Sequence, residues 1–372
     1  MHTVVRQLVL LGTATALGAA TLAAQQPTVT PRAPDSATAA PHAAATQSAP
    51  APSPITVGGV VYGQYLYQVH DTASHSNNFD VTRAYVNVIG KFKGGLGTRV
   101  TSDIFRSADG SLSFRLKYAY FGYTPGSGAL TYKLGLIHTP LLDWEESLWD
   151  YRMQGPVALD RNGYLTSSDF GAGVDGTWKK DAVNAQVGIY NGEGYGKTPG
   201  DKRKDVEGRV SVRLLNTDDM SRVGGLRLTG FTQVGKPTGG GLRDRFVGIV
   251  SYRSSLVTLA GEYARTKDRA DNPPAPAIPT GTTVDGQVIS VFGVFHIPSS
   301  KASLIGRVDV VDPNTDVADN RVTRFIAGAA YQLTPNLRLL ADVDNVAYEG
   351  GTPSPALYAT KTQALFQAQF TF

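Results

Sequence analysis

The sequence predicts an all-β chain, a transmembrane antiparallel β-barrel of 16 strands with a long third extracellular loop folded inward. Three observations predict it. Residues 362–372 alternate: Ala364, Phe366, Ala368, Phe370 and Phe372 fall on one side of an extended chain, and Gln363, Gln367, Gln369 and Thr371 on the other. Segments of this kind recur from residue 57 to the last residue, at lengths that cross a bilayer obliquely. The connections alternate between short and long, as expected when both chain ends lie on the periplasmic side of an even-stranded barrel.

Composition agrees with this class and excludes others. Of 372 residues, 41% are hydrophobic and 18% charged, with 41 glycines, 17 tyrosines and no cysteine. Beyond the N-terminus no uninterrupted apolar run reaches the length of about 18 residues that a membrane helix needs. The lack of cysteine removes disulfides, thiolate catalysis and thiolate zinc sites. A net charge of +4 without a basic cluster does not describe a nucleic-acid binder.

In chain order, residues 1–24 read as a secretory signal: Arg6 supplies the positive start, an uncharged apolar run follows, and Ala23 and Ala24 suit cleavage. Residues 25–54 hold seven prolines and nine alanines with almost no charge or aromatic residue, so a disordered leader is expected there. The barrel then occupies 55–372. Its strands are read at 57–69, 79–91, 96–107, 112–123, 130–138, 169–179, 183–190, 205–215, 225–235, 243–253, 256–265, 287–297, 302–311, 321–333, 337–348 and 361–372. Tight turns fall at 93–95, 125–128, 180–181, 254–255, 298–300 and 335–336, and only 216–224 is longer in that set. The intervening connections include the long segments 139–168 and 266–286. A soluble sandwich or propeller has no reason to keep this rhythm.

The two faces separate by charge. Ala84, Val86 and Val88 oppose Arg83, Tyr85 and Asn87; Val206, Val210, Val212 and Leu214 oppose Glu207, Arg209, Ser211 and Arg213; Leu337, Leu339, Ala341 and Val343 oppose Arg338, Asp342 and Asp344. At 112–123 the same reading sets Leu112, Phe114, Leu116, Tyr118 and Tyr120 against Ser113, Arg115 and Lys117. A lysine or arginine facing lipid at mid-membrane costs about 2–4 kcal/mol, so the charged face is the lumen. Glycines such as Gly171 and Gly173 are tolerated against water. Tyr62, Tyr65, Tyr67, Tyr118, Tyr120, Tyr132, Trp178, Tyr252, Tyr263 and Tyr331 are candidates for the interfacial girdles, the alternative for some of them being to pack beside segment 139–168 inside the barrel.

Segment 139–168 carries Asp143, Trp144, Glu145, Glu146, Trp149, Asp150, Tyr151, Arg152, Met153, Asp160, Arg161 and Tyr164. Its aromatics suit burial better than solvent, so it is expected to fold into the lumen and narrow it; an external flap or a subunit contact is the alternative. The lumen face is expected to be electropositive. Its bases are Arg83, Arg99, Arg115, Lys117, Lys133, Lys179, Arg209, Arg213, Arg227, Arg245, Arg253, Arg307, Arg324 and Arg338, and its acids are Asp103, Asp175, Glu207, Glu262, Asp309, Asp342 and Asp344. This excess of bases favours anions in the pore, while the acidic loop sets a field across the constriction. No histidine spacing suits a metal, and no phosphate loop, dinucleotide motif or catalytic constellation stands out, so neither cofactor nor metal is expected.

Several segments resemble the phosphate-selective porin O and P family: FDVTRAYVNVIGKF at 79–92, YKLGLIHTPLLDWEES at 132–147, SSDFGAGVDG at 167–176, VGIYNGEG at 187–194, AGAAYQLTPNLRLLADVDN at 327–345 and the terminal FQAQFTF. The resemblance implies a sixteen-stranded porin, usually a homotrimer, passing anions by diffusion. Arg83 and Arg99 match its basic strand positions in type, and the acid-rich loop departs from what a phosphate trap requires. The expectation is a passive diffusion channel of the bacterial outer membrane for small anions and polar solutes, in contact with lipid and lipopolysaccharide. Phe370 and Phe372 of the C-terminal strand are expected to address it to the barrel-assembly machinery. The alternatives are a porin selective for sugars or organic acids, and a plugged structural or adhesive barrel.

Overall fold

The computed structural model describes residues 54–71, 77–107, 109–198, 200–271, 281–349 and 360–372. The expected signal segment, and all of the expected leader except residue 54, lie outside the described residues.

Alternation of apolar and polar residues produces the strands β1 (Ile55–Asp71), β2 (Asn77–Lys91), β3 (Leu96–Arg106), β4 (Leu112–Tyr123), β5 (Leu130–His138), β6 (Ser168–Trp178), β7 (Val183–Tyr190), β8 (Asp205–Leu215), β9 (Gly225–Gly235), β10 (Gly241–Arg253), β11 (Val257–Ala270), β12 (Thr283–His296), β13 (Ala302–Asp312), β14 (Val322–Thr334), β15 (Leu337–Tyr348) and β16 (Thr360–Thr371). Each pairs with its neighbours in sequence, and β16 returns to β1 to close the cylinder. The closing register runs through Val60 opposite Thr371 and Tyr67 opposite Ala364. The final residue completes it, because the Gly59 amide donates to the Phe372 carbonyl at 2.8 Å and the Phe372 amide donates back at 3.0 Å. Closure leaves no strand edge, which hydrocarbon does not tolerate.

The faces divide as charge requires. Val86, Val88, Val210, Val212, Phe246, Leu304, Val343, Phe366, Phe370 and Phe372 are exposed on the outside, whereas Asp103, Glu207, Arg209, Arg227, Arg307, Asp342 and Asp344 are buried within. Tyr67, Tyr132, Trp178, Tyr252, Tyr263 and Tyr331 stay exposed.

Four details differ from the expectation. In β4 the alternation breaks at Lys117: Thr101 pairs with Tyr118 but Ser102 pairs with Leu116, so Lys117 is the extra residue of a β-bulge. The bulge reverses the phase, and Tyr118 and Tyr120 turn inward beside His138, at ring distances of 4.0 and 5.6 Å, instead of facing lipid. Lys179 is not a lumen residue; it stands exposed with φ of 52° in the turn after β6. The strand β11 extends to Ala270 and β12 begins at Thr283, because their polar tips continue the ladder (Lys267 opposite Asp285) where no apolar face marks it. Gly171 is small for a neighbour rather than for water: a Cβ there would meet the Ile189 carbonyl at 2.3 Å and the Tyr190 ring at 3.0 Å.

Candidate functional site

The interior is shaped by the segment between β5 and β6. The strand β5 is only nine residues long and ends at His138. From there the chain enters the lumen as a short helix α1 (Leu142–Leu148) and a single turn α2 (Ala158–Arg161). Leu141, Leu142, Trp144, Leu148, Trp149, Tyr151, Met153, Val157, Ala158 and Leu159 are all at most 2% exposed. They form one cluster with Phe231, Val247, Ile249, Ala260, Ala264, Val288, Phe292, Val294, Ile305, Ala330 and Leu340, which stand on the inner face of β9 to β15. An apolar stripe on the inside of a barrel and an apolar loop each lose water by meeting, and that is the driving force for the fold-back.

Polar contacts fix its pose. Side chains of the wall donate to loop carbonyls around the circumference: Arg209 to Pro140 at 2.9 Å, Arg253 to Ser147 at 2.8 Å, Arg338 to Asp150 at 2.9 Å, Gln367 to Met153 at 2.9 Å and Arg307 to Pro156 at 2.9 Å. Contacts with β8, β10, β13, β15 and β16 from one segment carry it across the interior. Trp144 is capped by guanidinium groups, with Arg209, Arg227 and Arg222 at 4.2, 5.3 and 5.7 Å from its ring. Arg222 belongs to the long turn 216–224 and donates to the Asp143 carboxylate at 2.8 Å and to Ser147 at 2.6 Å. Val223 of the same turn joins the apolar cluster. That turn is long because it reaches inward to brace α1.

These contacts revise the charge balance. Most of the bases assigned to an electropositive wall are neutralised. Arg83 and Arg115 share Asp103 at 2.6 and 3.0 Å, and Arg213 and Arg227 share Asp181 at 3.3 and 3.0 Å. Lys133 pairs with Asp175, Arg245 with Asp268, Arg253 with Asp219, Arg307 with Asp309 and Arg324 with Asp344. Arg209 and Arg338 are occupied as loop clamps. Asp181 and Asp219 lie in turns and Asp268 at a strand tip, where strand-phase reasoning does not look.

The loop is also less acidic than its composition. Asp143 is held by Arg222 at 2.8 Å, Glu146 by Arg152 at 3.0 Å, and Asp160 lies 3.6 Å from Arg152. Asp150 has looser partners in Arg253 and Arg338 at 3.7 and 3.9 Å. Glu145 is 1% exposed and faces Glu262 on the wall, and no arginine, lysine or backbone amide donates to either carboxyl group. Burial, and then the facing Glu262, push the Glu145 carboxyl well above its ordinary value, with Arg307 opposing and Asp309 reinforcing the shift. Arg161 lies 3.3 Å from Asp344, and burial together with Arg324 and Arg307 lowers it to about 9.

Apart from Arg209, which is held by the Pro140 carbonyl and the Asn184 side chain and not by a carboxylate, two expected wall cations on the strands have no carboxylate partner among the described residues: Arg99 and Lys117. Arg99 is oriented by Asn87 at 2.9 Å, Thr101 at 3.0 Å and His138 at 3.0 Å, and lies 4.5 Å from the Tyr118 ring. The bulge presents Lys117, 5% exposed, with its ammonium 4.8 Å from the Tyr85 ring. Both line a cavity of about 320 Å³ between the loop and the first strands, with Tyr62, Tyr85 and Tyr118 beside them and Asp143, Glu146 and Asp150 across from them. At this cavity a basic wall therefore does face an acidic loop, reduced to two unpaired cations.

No family model matches this chain, and no curated protein matches it. Solved structures do. An anion-selective porin from Comamonas acidovorans aligns over 86% of this chain and 99% of its own, with a TM-score of 0.62 and 14% identity. OmpF of Salmonella typhi, in complex with daunomycin, aligns over 86% and 97% with a TM-score of 0.63 and 14% identity. The trimer form of OmpT, an outer membrane protein of Vibrio cholerae, aligns over 86% and 99% with a TM-score of 0.58 and 12% identity. At these identities the likeness establishes the fold, the closed 16-strand barrel of bacterial porins.

Proposed function

We propose that the chain is a passive diffusion porin of the bacterial outer membrane, a water-filled channel for small hydrophilic solutes with a modest preference for anions. The outer face meets lipid, as its apolar band requires, and the polar interior holds electrolyte. The observation that carries the anion preference is the pair Arg99 and Lys117, charged groups at the cavity that no carboxylate neutralises among the described residues, opposite acids that all have arginine partners. A fixed positive excess concentrates anions over a screening distance of about 8 Å at physiological ionic strength. Two cations facing acids do not make a converging phosphate trap, so the channel is a general one despite its resemblance to the phosphate-selective porin O and P family. The porin of similar fold from Comamonas acidovorans is anion-selective, which agrees with this reading. The chain functions as a homotrimer in this proposal, assembled through the barrel-assembly machinery that reads Phe370 and Phe372.

Planar-bilayer recordings of the detergent-purified protein test it. Discrete ohmic conductance steps, with a reversal potential in a KCl gradient on the chloride side, are expected. Negligible conductance identifies a plugged barrel, and a potassium-side reversal contradicts the anion preference.

A further inference from the structure

The same cavity holds polar groups that diffusion alone does not explain. Lys117 is 5% exposed, and its ammonium makes neither an ion pair nor a hydrogen bond among the described residues. The hydroxyl of Tyr85, in a residue 8% exposed, has no hydrogen-bond partner either. Both residues line the cavity, and the ammonium stands over the Tyr85 ring. Leaving the buried Tyr85 hydroxyl unpaired is unfavourable, and the β-bulge that stacks Tyr118 on His138 also delivers the Lys117 ammonium to this cavity with no partner of its own. The remaining lining includes the tyrosine ring of Tyr62 and the neutral polar side chains of Asn87 and Gln369.

We propose that Lys117 and Tyr85 form a saturable subsite for a small hydroxylated monocarboxylate, of sugar-acid size. The carboxylate takes the ammonium and the phenol hydroxyl as donors. The hydroxyls meet the amides of Asn87 and Gln369, and the tyrosine rings offer a flat surface to the C–H face of the solute. Selection over inorganic phosphate comes from these hydroxyl and ring contacts, which phosphate cannot make, since Asp143, Glu146 and Asp150 already have arginine partners. This inference rests on the channel reading above and deepens it.

The probe is gluconate, with acetate and inorganic phosphate as comparisons, added to a channel carrying chloride current. Gluconate is expected to reduce the current along a saturable curve, at lower concentration than acetate or phosphate. Losing a hydrogen bond to a charged group costs roughly tenfold or more in affinity, and Lys117→Gln should weaken gluconate block by about that factor. Tyr85→Phe keeps the ring and removes only the donor, so it should weaken block a few-fold even if the lysine variant fails to fold. A non-saturating response to gluconate, phosphate blocking at lower concentration than gluconate, or variants that block like the wild type would each overturn the subsite. Chloride preference in the same recordings separates the two proposals: if it is present and gluconate does not saturate, only the subsite is lost; if it is absent, the anion channel fails first.

Discussion

Trp144→Ala is the perturbation that should undo the inward loop. The indole is 1% exposed, packs in the cluster formed with the inner wall, and has guanidinium groups of Arg209 and Arg227 at 4.2 and 5.3 Å. Truncating a buried tryptophan to alanine typically costs about 3–5 kcal/mol. The stacked guanidinium adds on the order of 1 kcal/mol. Taking about 4 kcal/mol as acting on loop docking, at about 1.4 kcal/mol per decade the undocked population rises roughly a thousandfold. Since the chain has no cysteine, a single thiol placed at the fully buried Ala158 reports that population directly. The rate of labelling of Ala158→Cys by a membrane-impermeant maleimide should rise by up to that factor in the Trp144→Ala background, and single-channel current should become noisier. Trp178→Ala, which removes an exposed outward side chain, should leave both unchanged. Labelling that is equally slow with and without Trp144 would refute the view that apolar burial holds the loop.

Three further outcomes follow from particular contacts. The folded value of Glu145 is raised above 4.5, so its contribution to docking is complete below 4.5 and is lost as pH rises toward the folded value; tryptophan emission should report a loosening loop across that interval, and Glu145→Gln should flatten it. Arg222→Ala removes an arginine that is partly exposed, so the braced loop should loosen only about twofold to fivefold in the thiol assay. Gly59→Ala places a Cβ 2.5 Å from the Tyr85 carbonyl and from the Phe372 ring, at the seam of the barrel, and should lower the temperature at which the folded form survives in detergent, whereas Gly63→Ala, with nothing nearer than 4.0 Å, should not.

The barrel was legible because period-two alternation and turn spacing are local signals. They locate sixteen strands, and the long turn 216–224 stood out by length before its brace on Asp143 was visible. The phase error at Tyr118 and Tyr120 arose because a bulge inserts one residue without any mark in composition. The charge count erred for a different reason: an ion pair joins residues far apart in sequence. Arg227 and Asp181 are 46 positions apart, and Arg161 and Asp344 are 183 apart. Loop clamps such as Arg307 on Pro156 were equally hidden, since a strand-phase arginine looks the same whether it faces water or a carbonyl. What survived of the electropositive wall at the cavity, Arg99 and Lys117, is the part that the fold leaves without a carboxylate. Lys117 is also the bulge residue, and because the alternation around it runs unbroken in the sequence, nothing local pointed to the cavity.

The central claim is that these two cations set the ion preference of an open channel. Reversal potentials of the Arg99→Gln, Lys117→Gln double variant in a KCl gradient test it most directly. The account predicts that chloride preference falls to near zero or turns to potassium while conductance steps persist. A double variant that keeps the wild-type chloride preference would contradict it.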